Sequence, residues 1–294
     1  MDKYARLTGL LELLTQRGKL DIEEVAAELG VSTATIRRDF DHLAQQQLLT
    51  RTRGGAVSNA VSYDLPLRYK ASRHAGEKLR IGEAAAGLIH RGCILGLTGG
   101  TTSTEVARAI TARGSLQIID SEPAVTIVTN AVNIANELTV RPQVKIVMTG
   151  GVARPQSYEL IGPLAQQTLQ NLTLDLAILG VNGIDPGYGA SVDHEGEAGI
   201  NALMAARARQ VVVVADSSKL GRRAFARVCP VTDIAILITD TRAPDDVIAE
   251  FEKAGVDTRR VLAAPAAPAP GRRVPGSRPK RPCRPATRPD TVGR

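Results

Sequence analysis

From about Tyr63 to Ala264 short apolar runs alternate with helical stretches, and that alternation restricts the fold more than any other feature of the sequence. Seven runs read as strands: Cys93–Leu97, Thr126–Thr129, Val144–Met148, Leu174–Leu179, Val211–Ala215, Ile234–Ile238 and Arg259–Leu262. Most are continuously apolar, as strands covered on both faces must be. Helical stretches fall between several of them, at Thr102–Ala112, Ala131–Leu138, Gly162–Asn171, Glu195–Ala206 and Asp245–Ala254. Such alternation predicts an α/β domain built on a mainly parallel sheet. Ligands of parallel sheets bind beyond the carboxyl ends of the strands. Five of those ends carry polar or Gly-rich turns here: TGGTT, TN, TGG, GVNG and DSSK. The expectation is one shared site.

The first of these turns sits in GCILGLTGGTTSTEVA, a strand, a Gly-Gly-Thr-Thr turn and a helix start. Free N–H groups at a helix N-terminus favour anions. Gly99 and Gly100 allow close backbone approach, while Thr101 and Thr102 add hydroxyl and N–H donors. Lys219, after the fifth strand, can supply a cation. Taken alone, a Gly-rich turn serves packing as readily as binding, and a single lysine is an ordinary solvated side chain.

The first sixty residues are helical in pattern. Leu7, Leu10, Leu11 and Leu14 form one apolar stripe. Asp21 caps a second helix, with Glu24 three residues on as its reciprocal partner, and Gly30 stops it. Ser32 or Thr33 caps a third helix, TATIRRDFDHLAQQQ, whose Ile36, Phe40 and Leu43 face inward. Thr35, Arg37 and Arg38 lie on its flanks and outer face, with nothing bulky to prevent entry into a major groove. Arginine there can pair with guanine or phosphate. LLTRTRGGAV then reads as a β-wing with Arg51 and Arg53 on one face. This is the pattern of a winged helix-turn-helix that binds double-stranded DNA. A plain helical bundle with a solvated charged face is the alternative, since eight basic and eight acidic residues balance over this region.

Charge has to be read locally. The chain of 294 residues carries a net charge of +7, but the Pro-rich tail from Pro265 to Arg294 holds eight Lys or Arg and one Asp and accounts for the whole excess. The tail has almost no large apolar residue and is expected to be disordered, as an incidental extension or an aid to non-specific phosphate contact. Cys93, Cys229 and Cys283 have no metal-ligand or CxxC spacing, and the four histidines show none either, so no metal and no cofactor are expected. No apolar signal core opens the chain and no membrane-length apolar run occurs, so a cytoplasmic protein without a membrane partner is expected.

The motifs combine into a resemblance. VSTATIRRDFDHLAQQQLLTRTRGGAV is similar to the recognition helix and wing of DeoR-type bacterial transcription regulators. The similarity continues through LPLRYKASRHAGEK, TGGTTSTEVA, VTNAVNIANEL, VMTGG, SYELIGPLA, LGVNGID and VVVADSSKLG, covering about residues 3–262. The resemblance implies an effector domain related in fold to ribose-5-phosphate isomerase, glucosamine-6-phosphate deaminase and coenzyme A transferases. It also implies control by a phosphorylated sugar or related metabolite. Thr98, Gly99, Gly100, Thr101, Thr102, Gly150, Gly151, Asn182, Gly183, Asp193 and Lys219 are then the effector-site candidates, with Asn182 and Asp193 suited to sugar hydroxyls. Thr98-Gly99 departs from the acidic and small residues that many members carry before GTT.

The expected organisation is a winged helix-turn-helix at residues 1–58, a linker at 59–75, a sensor at 76–264 and the tail at 265–294. Ser32, Thr33, Thr35, Arg37, Arg38, Arg51 and Arg53 are the DNA-contact candidates. The expected function is a repressor of carbohydrate genes that assembles as a dimer or tetramer. The alternative is a sugar-phosphate isomerase or deaminase with a helical appendage, in which Asp193, Glu197 and Lys219 supply acid, base and phosphate anchor. That reading leaves Arg37 and Arg38 without a purpose, so no catalytic residue is assigned.

Overall fold

The computed structural model describes residues 3–46, 48–58, 67–71, 73–118 and 122–262; the basic tail lies outside them. Helix α1 (Lys3–Arg17) leads into strand β1 (Lys19–Asp21), helices α2 (Ile22–Leu29) and α3 (Thr33–Gln45), and strands β2 (Thr50–Thr52) and β3 (Gly55–Val57). The Asp21 carboxylate accepts from the Glu23 and Glu24 N–H groups and caps α2, while Gly30 ends it at φ +65°. The three strands form an antiparallel sheet in the order β1-β3-β2. Leu7, Leu10, Leu11, Leu14, Ile36, Phe40 and Leu43 are buried in one core beneath it, as the stripe and inner-face readings require.

After α4 (Leu67–Lys70) and α5 (Ala75–Ala86) the chain alternates strand and helix. It runs β4 (Ile94–Leu97), α6 (Thr101–Ala112), β5 (Val125–Thr129), α7 (Val132–Leu138) and β6 (Val144–Met148). A hairpin, β7 (Val152–Arg154) and β8 (Glu159–Ile161), leads to α8 (Pro163–Gln170) and β9 (Leu174–Gly180). Then come β10 (Gly183–Asp185), β11 (Gly189–Val192), α9 (Glu195–Ala206), β12 (Ala208–Val214), β13 (Ala226–Cys229), β14 (Ile236–Asp240), α10 (Asp245–Lys253) and β15 (Asp257–Val261).

All seven runs anticipated from the sequence join one parallel sheet in the order β15-β14-β12-β9-β4-β5-β6. Both faces are covered. In β9, Leu176 and Ile178 pack on the side of α5, α6 and α7, while Ala177 and Leu179 pack on the side of α8, α9 and α10. In β12, Val212 and Val214 separate from Val211 and Val213 in the same way. Two-sided burial removes any reason for polar alternation, hence the continuous apolar runs.

The strand order reverses between β4 and β9. Loops leaving these neighbours diverge to opposite faces and open a crevice at their carboxyl ends. The TGGTT and GVNG turns flank that crevice, and DSSK follows the adjacent β12.

Candidate functional site

In the winged helix, Ser32 caps α3: its Oγ accepts from Thr35 N–H at 3.2 Å and lies 2.9 Å from the Thr35 hydroxyl. Thr33 and Thr35 are half-buried, whereas Arg37 and Arg38 are exposed. Among the described residues no ion pair or hydrogen bond engages Arg37, Arg38 or Arg53. The helix is anchored from behind by a bidentate pair, Arg6 Nε to Asp39 Oδ2 at 2.5 Å and Nη2 to Oδ1 at 3.2 Å. Strand β2 ends at Thr52, so Arg53 stands in the wing turn, while Arg51 is held 3.0 Å from Asp41 and its guanidinium lies 5.6 Å from the Phe40 ring centre. The Arg51–Asp41 pair, partly exposed on both sides, links the wing to α3.

At the crevice lies a cavity of about 490 Å3 lined by Gly99, Gly100, Thr101 and Thr102 from the first turn, Gly180, Val181 and Asn182 from the fourth, and Asp216, Ser218 and Lys219 from the fifth. Gly100 begins α6 at φ +119° with no side chain capping it, so first-turn N–H groups open toward the cavity. Gly99 is required by a neighbour. A Cβ there would fall 2.6 Å from Glu159 Oε1, and Glu159 is a buried wall residue whose Oε2 accepts from Asn130 Nδ2 at 2.9 Å. The Ser217 N–H donates to Asp240 Oδ2 at 2.7 Å, which fixes the turn bearing Lys219.

Two lysines converge on this space. Lys78 of α5 is 5% exposed and its Nζ donates to the Lys70 carbonyl at 2.8 Å. Burial pushes its ammonium down to about 8, against the opposing pull of Asp216. Lys219 is lowered as well, first by burial, with Asp216 opposing. Ammonium groups that share a cavity with a helix N-terminus favour an anion over a cation there. Lys70, Arg73 and Arg222 add three further cations to the wall. Among the acids, Glu197 is matched by Arg154 at 3.0 Å and Asp216 accepts from the Ser218 N–H and hydroxyl.

Five candidates lie outside the cavity lining. Gly150 and Gly151 follow β6, the edge strand two places from β4, and are not among the lining residues, although Gln156, Ser157 and Glu159 of the hairpin that follows them are. Thr98 is fully buried, and its Oγ1 accepts from the Gly180 N–H at 2.9 Å, tying β4 to β9. Gly183 packs against the Arg222 backbone. Asp193 is exposed and accepts from Asn182 Nδ2 at 2.6 Å, so it orients a wall residue from behind. Conversely, the sequence reading omitted Glu12, Lys70, Arg73, Lys78 and Glu159. Lys78 had a visible signal: it shares the stripe of Ile81, Gly82 and Ala85, all buried, and a lysine on an apolar stripe is unusual.

His74 and Tyr158 are the non-glycine residues with positive φ among the described ones, at +52° and +61°. His74 lines the cavity and Tyr158 precedes Glu159. Left-handed backbone at such residues concentrates at ligand sites.

A winged helix with an unpaired basic recognition surface, joined to an α/β domain with a cation-rich cavity, defines a DNA-binding transcriptional regulator with a small-molecule site. Comparison with known proteins agrees. Residues 73–241 match the DeoR C terminal sensor domain and residues 6–61 the DeoR-like helix-turn-helix domain. The putative aga operon transcriptional repressor of Escherichia coli O157:H7 is 34% identical over 86% of this chain and 91% of its own. The glycerol-3-phosphate regulon repressor of Escherichia coli K12 is 32% identical over 84% and 95%. Ribose 5-phosphate isomerase A from Methanocaldococcus jannaschii is similar over 48% of this chain and 52% of its own, with 18% identity and a TM-score of 0.34. The chain belongs to the DeoR family of transcriptional regulators, and it is a regulator, not an enzyme. No described helix is long and apolar enough to cross a membrane.

Proposed function

We propose that this regulator is a repressor of carbohydrate genes whose operator affinity is set by a phosphorylated sugar bound at the crevice between β4 and β9. The phosphate sits at the N-terminus of α6, between Lys78 and Lys219, and the sugar hydroxyls face Asn182 and Glu159. The observation that carries this reading is that Lys78 and Lys219 line one cavity with the N-terminus of α6, which no side chain caps. The names of relatives that regulate the glycerol-3-phosphate regulon and the aga operon agree with a small phosphorylated or carbohydrate-derived signal. DNA is contacted by α3, through Arg37, Arg38 and the hydroxyl-bearing start of the helix, with Arg53 on the wing. The protein works as a homo-oligomer in the cytoplasm, so that paired winged helices meet half-sites about one helical turn apart.

Calorimetry with a panel of sugar phosphates, glycerol 3-phosphate among them, tests the site. Lys219→Ala weakens the phosphorylated ligand much more than its unphosphorylated parent. Equal effects on both would remove the lysine as the phosphate anchor.

A further inference from the structure

The effector cavity is not built by the sensor domain alone. Its wall includes Glu12 from α1 of the winged helix, and Leu67 and Lys70 from α4, which lies between the two domain matches. Helix α4 faces both ways. Tyr69 is 1% exposed within the winged-helix core, with its hydroxyl donating to Gln46 Oε1 at 2.6 Å. The Lys70 carbonyl accepts from Lys78, and the Leu67 N–H donates to the Gln156 carbonyl, another wall residue.

Across the same space Glu12 forms an ion pair with Arg73, the first residue of the sensor match. Both side chains line the cavity, and both are about one-third exposed, at 34% and 38%. A pair this wet is held weakly and separates at little cost. The other wall acids are fixed from within the sensor: Glu197 by Arg154, Glu159 by Asn130, Asp216 by Ser218. Glu12 alone among these acids comes from the DNA-binding half.

We propose that Arg73 is an effector ligand held in reserve by Glu12, so that a bound anion and helix α1 compete for one guanidinium. This rests on the reading of the cavity as an anion site. A phosphate carries more charge than a carboxylate and presents three acceptor oxygens, so it takes the guanidinium when it enters. Glu12 is then released, and α1 loses its ion pair with the sensor. Reciprocity follows: whatever holds Glu12 on Arg73 weakens anion binding by the same factor as the anion weakens that contact.

The test is a double-mutant cycle on the full chain, titrated with inorganic phosphate by calorimetry at pH 7. Glu12→Gln removes the competitor and tightens phosphate binding roughly two- to fivefold, the range of an exposed ion pair. Arg73→Gln weakens binding, and in that background Glu12→Gln gains nothing. Hydrogen exchange supplies a second readout: phosphate speeds exchange in α1 of the wild type, and α1 of Glu12→Gln exchanges fast without it. Unchanged affinity in Glu12→Gln, or a gain that persists with Arg73→Gln, overturns the competition. If phosphate binding is lost in Lys219→Ala yet indifferent to Glu12, only the competition fails. If the wild type binds no phosphate, the anion-site reading fails with it.

Discussion

Raising the pH from 7 to 9 should weaken sugar-phosphate binding about tenfold through Lys78. Its ammonium titrates near 8 because burial strips its hydration. For such a group the protonated fraction falls from roughly nine-tenths at pH 7 to one-tenth at pH 9. An anion seated against the ammonium raises its pKa again, so binding at high pH must first take up the missing proton. The sugar phosphate itself has finished its second ionisation by pH 7, near 6, and adds no slope of its own. The tenfold loss corresponds to about 1.4 kcal/mol. Calorimetry in buffers of different ionisation enthalpy counts the proton directly, and at pH 8 the uptake by Lys78 should be about half a proton. Lys219 is lowered too, so Lys78→Met is the control that isolates one lysine. An equally steep loss in Lys78→Met, or affinity that rises with pH, would refute the reasoning. Without ligand the sign on stability is opposite. The unfolded lysine titrates near 10.5, so between about 8 and 10.5 the unfolded chain holds more protons, and the folded state gains stability as pH rises.

Arg37→Ala/Arg38→Ala should abolish tight operator binding in a gel-shift titration and flatten its dependence on salt; retained affinity removes α3 as the reading helix. Tyr69→Ala should cost about 3–5 kcal/mol in denaturant unfolding of the winged helix, because a fully buried ring is deleted, whereas Tyr69→Phe keeps the ring and gives up the bond to Gln46, about 1 kcal/mol. Gly99→Ala places a methyl against the Glu159 carboxylate and should cost about 1–3 kcal/mol together with most effector affinity, both recovered in part by Glu159→Ala.

The seven sheet strands were legible because burial on both faces writes itself as continuous apolar runs. Three kinds of feature were not. Strand order is invisible in sequence, so the TGG turn after β6 reads like its neighbours, although β6 is an edge strand and Gly150 and Gly151 lie outside the cavity lining. The ribbons β7–β8 and β10–β11–β13 have members of three or four residues, too short for periodicity to register, and Glu159 went unnoticed with them. Side-chain direction is the third. Thr98 stands in the Gly-rich turn with its hydroxyl accepting from the Gly180 N–H, and Arg51 lies against Asp41, neither of which the sequence discloses. Lys78 shows the converse: its charge on an apolar stripe was on view, and only the fold reveals which space that stripe borders.

Tyr69 also bears on how freely the two halves can be exchanged. The helix-turn-helix match stops at residue 61, and a graft of this reader onto another sensor would naturally be cut there. Such a cut deprives the reader of a ring filling its interior, and the same helix carries Leu67 and Lys70 of the cavity wall. The workable seam falls after Lys70, so α4 must travel with the reader. The winged helix and the cavity are therefore not interchangeable modules here, because one four-residue helix is structural material for both.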